Sequence, residues 1–401
     1  MQYVIVGGGI AAAEACREIR IFDPAGAITV ISGESQAFYY RSMIPSLVAG
    51  TGELADLSPV SPPEGIELVN GWAQHLRPAE KKLLLADDRE VPYDKLLLAT
   101  GSSPIIPEFA RFDGANIFYL RTIDDALRIR KAALKASTAV VLGGGVIGVK
   151  AALALVACGV SVTIVELEKQ LLYPRLDEEA AAMVATRLSR AGIEIITGHT
   201  VVEAFSGRVK LDSGESRAAD LLVAGIGVQP NSRWLEDVLG SGNGVRVNAK
   251  METEMEDVYA AGDIALLTDG VSGKVLPSAL WPDAVRMGKV AGANMGGGKR
   301  KFGTGLEVMN AMEIAQLPII TAGEVFGLER DCETIRLRGV ESYRKFVIRD
   351  DKLIGALFVG DIERAGVYIA LLKSAIPLGA LKQKIREGIL HYGHFEHHHR
   401  S

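Results

Sequence analysis

The sequence predicts an α/β protein in which one strand–glycine turn–helix–strand unit occurs twice, followed by a smaller α+β segment. Three observations carry this expectation. The 401 residues include 44 glycines, roughly one in nine against a usual ~7%, so the chain turns often or brings its backbone close to something. Residues 2–34 and 138–166 read alike: an apolar strand, a triple glycine, an alanine-rich helical stretch, a second apolar strand and a closing glutamate. Further on, Leu96-Leu97-Leu98-Ala99-Thr100-Gly101 is echoed by Leu221-Leu222-Val223-Ala224-Gly225-Ile226-Gly227, in the same order and at a similar offset.

Composition narrows the function classes. A chain of this length exceeds one ordinary core, and 48% hydrophobic with 23% charged residues excludes a disordered chain. Forty-four basic and 49 acidic residues leave a net charge of −5. No cationic field exists to attract nucleic acid or anionic lipid, so neither is an expected partner. Cys16, Cys158 and Cys332 stand too far apart for a disulfide framework or a metal cluster and suit a reducing compartment. Met1-Gln2 runs directly into Tyr3-Val4-Ile5-Val6 without a leader pattern, and a cytoplasmic location is expected. Residues 138–165 carry one charge, Lys150, as a membrane helix would. Gly143-Gly144-Gly145 and Gly159 cut the stretch, however, so it reads as strand, helix and strand of a buried parallel sheet. No membrane span and no metal site are expected; His391, His394 and His397-His398-His399 read as a tail.

Taken in chain order, the first chemical signal is Gly7-x-Gly9-x-x-Ala12, between a strand and a helix. The first glycine permits a tight turn, the second lets the backbone approach a pyrophosphate, and the third small residue lets helix and strand pack closely. Glu34 follows at the end of the second strand, where a carboxylate accepts hydrogen bonds from ribose hydroxyls. Gly143-x-Gly145-x-x-Gly148 and Glu166 repeat the arrangement. One such motif is weak; two in matching contexts point to two dinucleotide sites. Glu166-Leu167-Glu168 has no arginine to hold a 2′-phosphate, with Lys169 the nearby cation, so the second site favours NADH over NADPH.

Five segments in order resemble the FAD-dependent pyridine nucleotide-disulfide oxidoreductases: residues 7–12; Ala99-Thr100-Gly101 with Pro104 and Pro107; residues 143–148; Ala224–Asn231 with its AGIGVQPN text; and residues 258–265, VYAAGDIA. The resemblance implies that Asp263 holds the ribityl chain of FAD. It also implies that Arg41 lies against the FAD phosphates, because residues 38–50 are similar to the flavin-side helix of NADH–rubredoxin reductases and of the flavin part of NADH–nitrite reductases. Residues 278–295 read as a helix whose N-terminal end, in the family, points at the flavin. Trp281 either lies near that flavin, as in relatives serving small iron–sulfur proteins, or plugs a domain seam. The candidate FAD residues are Gly7, Gly9, Ala12, Glu34, Arg41, Ala73, Thr100, Gly101, Asp263 and Trp281; those for NAD(H) are Gly143, Gly145, Ile147, Gly148, Glu166 and Gly227.

Two departures matter. Where disulfide reductases and peroxidases of the superfamily carry cysteine in the flavin-side helix, this chain has Ser42, and a hydroxyl forms no thiolate or sulfenic acid. Lys150 stands where the family usually has glutamate. No protein group is therefore expected to act as a catalyst, the flavin carrying the chemistry.

The expected domains are 1–109 and 236–305 for FAD, 110–235 for NAD(H), and 306–401 as a small α+β domain. In the last, residues 343–348 and 353–359 read as strands around Arg349-Asp350-Asp351-Lys352, and 377–390 as a closing helix with a basic face. The expected function is FAD-dependent electron transfer between NADH and a small electron carrier or an iron–sulfur partner subunit, as a homo-oligomer or in a hetero-complex. Two alternatives stay open. One is the FAD subunit of a larger complex that reduces NAD+, such as an aldehyde oxidoreductase or nitrite reductase assembly; the other is a flavin-bound sensor or scaffold without turnover.

Overall fold

Apolar runs without a polar face, such as Gln2–Val6 and Thr138–Leu142, are satisfied only as strands covered on both sides, and all but their first residues are buried. The structure, a computed structural model, describes every residue except 58–63, 112–115, 241, 269–274, 278, 304–308, 327–330 and 395–401. It divides into two compact units. One comprises Met1–Ile105, Leu120–Ile129 and Gly227–Leu306; the other comprises Ile106–Tyr119, Arg130–Ile226 and Glu307–Ser401.

The first unit is built on a parallel sheet with the order Val258–Ala260, Lys95–Leu98, Gln2–Val6, Ala27–Ser32, Ile66–Asn70. In the second unit the order Ile117–Phe118, Leu221–Ala224, Thr138–Leu142, Ser161–Glu166, Glu194–Thr197 reproduces it strand for strand. Each sheet also has an antiparallel three-stranded companion, Ala73–Arg77 to Glu90–Pro92 in the first and Val201–Phe205 to Ser216–Ala218 in the second. The repeat visible at three places in the sequence thus runs through two whole Rossmann-like folds. The first is discontinuous, since its strand Val258–Ala260 arrives only after the second sheet is complete. The nearly uncharged stretch resolves into strand Thr138–Leu142, helix Val146–Ala157 and strand Ser161–Glu166. Among the described residues no helix is long and apolar enough to cross a membrane.

In the first unit, helix Ile10–Phe22 packs on helix Trp281–Met295 through small residues. A Cβ added at Gly288 would lie 2.3 Å from the Ala11 carbonyl oxygen, and one at Gly292 would lie 2.3 Å from that of Ala15. Backbone touches backbone along this seam. Trp281 stands at the start of the second helix, and the glycine turn at the start of the first. The helix expected over 38–50 appears as a 3-10 turn, Arg41–Met43, followed by helix Ile44–Ala49, which Gly50 ends at φ +74°.

The C-terminal segment forms an antiparallel sheet ordered Asn310–Ile314, Leu317–Gly323, Lys352–Val359, Tyr343–Arg349, Glu333–Arg338. Its central hairpin turns at Asp350 and Asp351, with φ of +49° and +56°, the paired left-handed geometry that matches strand twist. The closing helix is shorter than the sequence suggested. It spans Leu381–Arg386, between Gly379 at φ +48° and Gly388 at φ +70°, both conformations that glycine adopts without penalty. Its cations are taken up locally: Lys382 pairs with Glu333 and Asp351, Arg386 with Glu333, and Lys384 with Glu387.

The helix seam yields a test. Gly288→Ala forces a methyl onto the Ala11 backbone and is expected to destabilise by about 1–3 kcal/mol, seen as a lower thermal midpoint. Gly366→Ala is the control, because no heavy atom lies within 4 Å of its added Cβ; it should leave the midpoint unchanged or raise it.

Candidate functional site

Each glycine motif performs its mechanical roles at named atoms. Gly7 stands at φ +117°, and a Cβ there would lie 2.1 Å from the Ala99 carbonyl oxygen; Gly143 stands at φ +105°, 2.5 Å from that of Gly225. A Cβ at Gly148 would meet the Gly143 carbonyl oxygen at 1.9 Å, and its counterpart Ala12 is fully buried. The middle glycines behave oppositely. Gly9 and Gly145 begin their helices in extended conformation, and no heavy atom lies within 4 Å of a Cβ built on either. Neither helix has a side-chain cap or an acid in its first turn. Open space before exposed N–H groups and a partial positive charge fits a dinucleotide pyrophosphate. Helix Glu178–Arg190 shows the contrast, being capped by Asp177 and led by Glu178 and Glu179.

In the first unit a cavity of about 1000 Å³ opens along the sheet's carboxyl edge, where open α/β sheets bind their ligands. Gly7, Gly9, Glu34, Arg41, Ala73, Thr100, Gly101, Asp263 and Trp281 line it. Ala12, the remaining candidate of this set, is buried within helix Ile10–Phe22.

The charged residues form one connected array. Arg41 pairs with Glu34 and donates to the Tyr39 hydroxyl (2.6 Å) and to the Arg121 carbonyl oxygen (3.0 Å). The Arg121 guanidinium in turn donates to Asp263 (2.9 Å), which also accepts from the Ser102 hydroxyl (2.7 Å). Burial works against the Arg41 charge, but Tyr39, Glu34 and Asp263 together raise its pKa above the usual value. Burial, with the Glu34 carboxylate, holds the Tyr39 hydroxyl protonated far above the ordinary phenol range, against the opposing pull of Arg41.

Sequence reasoning missed Arg121. A capping box sets the helix start just after Arg121 without indicating where its guanidinium points: Thr122 donates its N–H to Asp125 (2.9 Å) and accepts that residue's N–H on its hydroxyl (3.1 Å). Asn231 was also missed as an individual residue. It bonds Thr100, Gly101 and Ser103 and so ties their loop to the Val228–Pro230 strand.

Aromatic rings stand at the cavity wall. Trp281 is 43% exposed and sits edge-on to Tyr40, with centroids 5.5 Å apart. Trp72 covers Gly33 closely enough that a Cβ there would be 2.1 Å from its ring. Ser42 also lines the cavity, and no cysteine does among the described residues. Cys16 is buried in helix Ile10–Phe22, its thiol pKa pushed up to about 12 by burial.

In the second unit Gly143, Gly145 and Gly148 gather at the turn with Ile147, 38% exposed in the first helical turn. The Glu166 carboxylate accepts the N–H of Gly144 and that of Glu168 (2.8 Å), which fixes the acid beside the glycine turn. Gly227 belongs to the first unit, at φ +116°, where its carbonyl accepts the Ile105 N–H (3.0 Å). His391 and His394 stack on each other, His397–His399 lie outside the described residues, and no group of three metal-ligating side chains occurs among the described ones.

Comparison with known proteins gives concordant matches. The family described as "Pyridine nucleotide-disulphide oxidoreductase" matches residues 1–288, and the "Rubredoxin NAD+ reductase C-terminal domain" matches residues 309–376. The chain is 37% identical over 318 residues to the NADH-dependent phenylglyoxylate dehydrogenase subunit epsilon of Aromatoleum evansii, covering 74% of this chain and 72% of that one. It is 28% identical over 389 residues to the nitrite reductase [NAD(P)H] of Bacillus subtilis, covering 93% of this chain but 47% of that protein. Among solved structures, an NAD-dependent persulfide reductase from A. fulgidus superposes with a TM-score of 0.87 at 25% identity, over 95% of this chain and 78% of that one.

The array predicts a specific weakness. Arg121→Ala removes a charge-assisted bond to Asp263, worth about 1.5–3 kcal/mol. Flavin retained per chain after dialysis, read from visible absorbance, is expected to fall by about tenfold or more.

Proposed function

The chain belongs to the pyridine nucleotide-disulphide oxidoreductase family, and we propose that within it the chain transfers electrons from NADH, through FAD, to a small one-electron carrier of the rubredoxin or ferredoxin type. The observation that carries this reading is the pair of uncapped glycine-turn helices, each facing open space beside an acidic strand end. The first unit holds FAD in the large cavity, with Gly9 at the pyrophosphate, Glu34 at a ribose, and Asp263, Arg41 and Arg121 on its polar edge. The second holds NAD(H) at Gly145 and Glu166.

Bound in the large cavity, FAD would supply two-electron acceptance from NADH and one-electron release to a carrier. The protein's work is to bind and orient. Asp263, bonded by Ser102 and Arg121, lines the same cavity as the glycine turn, so a cofactor held there would meet both. Trp281 and Ala284, in the first turn of helix Trp281–Met295, line the cavity wall. Trp281 lines the cavity and packs edge-on against Tyr40. Ser42 and the buried Cys16 supply no reactive thiol, which argues against disulfide or peroxide chemistry. The rubredoxin reductase match over 309–376 supports a carrier protein as acceptor. A cytoplasmic location is part of the proposal, supported by three scattered cysteines that suit a reducing compartment.

A second reading has one specific observation in its favour. The relative that shares 37% identity is a subunit of an NADH-dependent dehydrogenase. Under that reading this chain is the FAD subunit of a complex and exchanges electrons with NAD+ in the opposite direction.

Turnover with a one-electron dye separates these readings from a scaffold. NADH is expected to support rapid dye reduction, with NADPH about tenfold or more poorer in kcat/KM. Glu166→Ala should narrow that ratio by about tenfold, mainly through the KM for NADH. A wild-type protein without dye reduction would refute the catalytic reading.

A further inference from the structure

The segment joining strand Ser161–Glu166 to helix Glu178–Arg190 touches the second glycine turn on one side and the C-terminal sheet on the other. Toward the turn, the Leu172 N–H donates to the Gly144 carbonyl oxygen (3.0 Å). The Leu171 side chain lies so close that a Cβ on Gly144 would come within 2.4 Å of it. Leu172 is buried and sits at φ +59°, a conformation that a bulky residue keeps only where its surroundings enforce it.

Toward the sheet, the enforcing contacts are explicit. The Tyr173 ring meets Phe326 edge-on, with centroids 5.1 Å apart. Asp177 caps helix Glu178–Arg190 at the Ala180 N–H (3.1 Å), accepts the Tyr343 hydroxyl (2.7 Å) and pairs with Lys345 (3.2 Å). Lys345 is only 3% exposed, and a buried cation of this kind is held by its partner. Arg338 bonds Glu179 through two nitrogens at 2.6 Å, and Arg187 bonds Glu341 at 3.0 Å. The sheet therefore grips both the middle and the end of the segment that shapes the glycine turn.

We propose that Phe326, just after strand Leu317–Gly323, and Lys345 of the C-terminal sheet are positioning residues for NAD(H), acting through Tyr173 and Asp177 on the loop that braces Gly144. The inference rests on the reading of that turn as the NAD(H) site. It gives the C-terminal domain a second duty: a partner that shifts its sheet alters NAD(H) affinity, and by linkage NAD(H) alters affinity for the partner. Neither residue has to touch the nucleotide.

The test uses the full chain with its FAD and titrates NAD+, which leaves the flavin oxidised, by calorimetry. Phe326→Ala and Lys345→Met are each expected to weaken NAD+ binding at least about fivefold, with flavin content unchanged. In turnover, the KM for NADH should rise while kcat stays level. Tyr173→Ala combined with Phe326→Ala should cost less than the sum of the two single changes, and Phe326→Tyr should restore affinity. Variants that fold, retain FAD and bind NAD+ within about twofold of wild type would overturn the proposal. Should Lys345→Met fail to fold, the Phe326 series decides alone. A wild type that binds no NAD+ would overturn the underlying site reading, and this inference with it.

Discussion

At Gly7 the turn after the first strand runs so close to the Ala99 carbonyl that the oxygen occupies the space of a side chain, and Gly143 meets Gly225 in the same way. The rest of the architecture depends on this approach. It lets neighbouring parallel strands end at one level, brings a helix start to that level, and leaves Gly9 and Gly145 facing open space. A methyl group at Gly7 or Gly143 would push the turn away from the sheet and the helix N-terminus away from any phosphate. Because both units use the constraint, the protein has two uncapped helix ends on equivalent sheets.

Around the first of these ends, packing turns a general dinucleotide cradle into a particular site. The Gly288 and Gly292 seam fixes helix Trp281–Met295 against helix Ile10–Phe22. Gly262, at φ +79°, sits within 3.3 Å of Ala11 by its would-be Cβ, which places Asp263 at the cavity wall beside the same helix. Arg121 then connects Asp263 with Arg41 and so with Glu34. Four acidic and basic groups from distant parts of the chain are thereby joined in one array of charge-assisted bonds.

The two glycine turns, their acids and Asp263 were legible in the sequence because each depends on local spacing or on a short motif. Ala73, Thr100 and Gly101 were found with them and line the same cavity. Arg121 was not legible. Its partners Arg41 and Asp263 lie 80 and 142 positions away, and no local pattern reveals which way a guanidinium before a capping box will point. The closing helix was read too long because its apolar periodicity continues past Gly388, where the backbone itself turns left-handed. The basic face expected on that helix is real in sequence, yet Glu333 and Asp351 of the adjacent sheet absorb its charge. The role of Asp177 was hidden for the same reason as that of Arg121: Tyr343 and Lys345 reach it from the C-terminal sheet, far along the chain.

This chain carries FAD and passes NADH electrons through it, and no cysteine lines its cavity among the described residues. An anaerobic titration of the purified protein with NADH, followed in the visible spectrum and repeated with NADPH, tests it most directly. A yellow protein bleached by stoichiometric NADH and only weakly by NADPH is expected. A yellow protein that NADH leaves unbleached would contradict it.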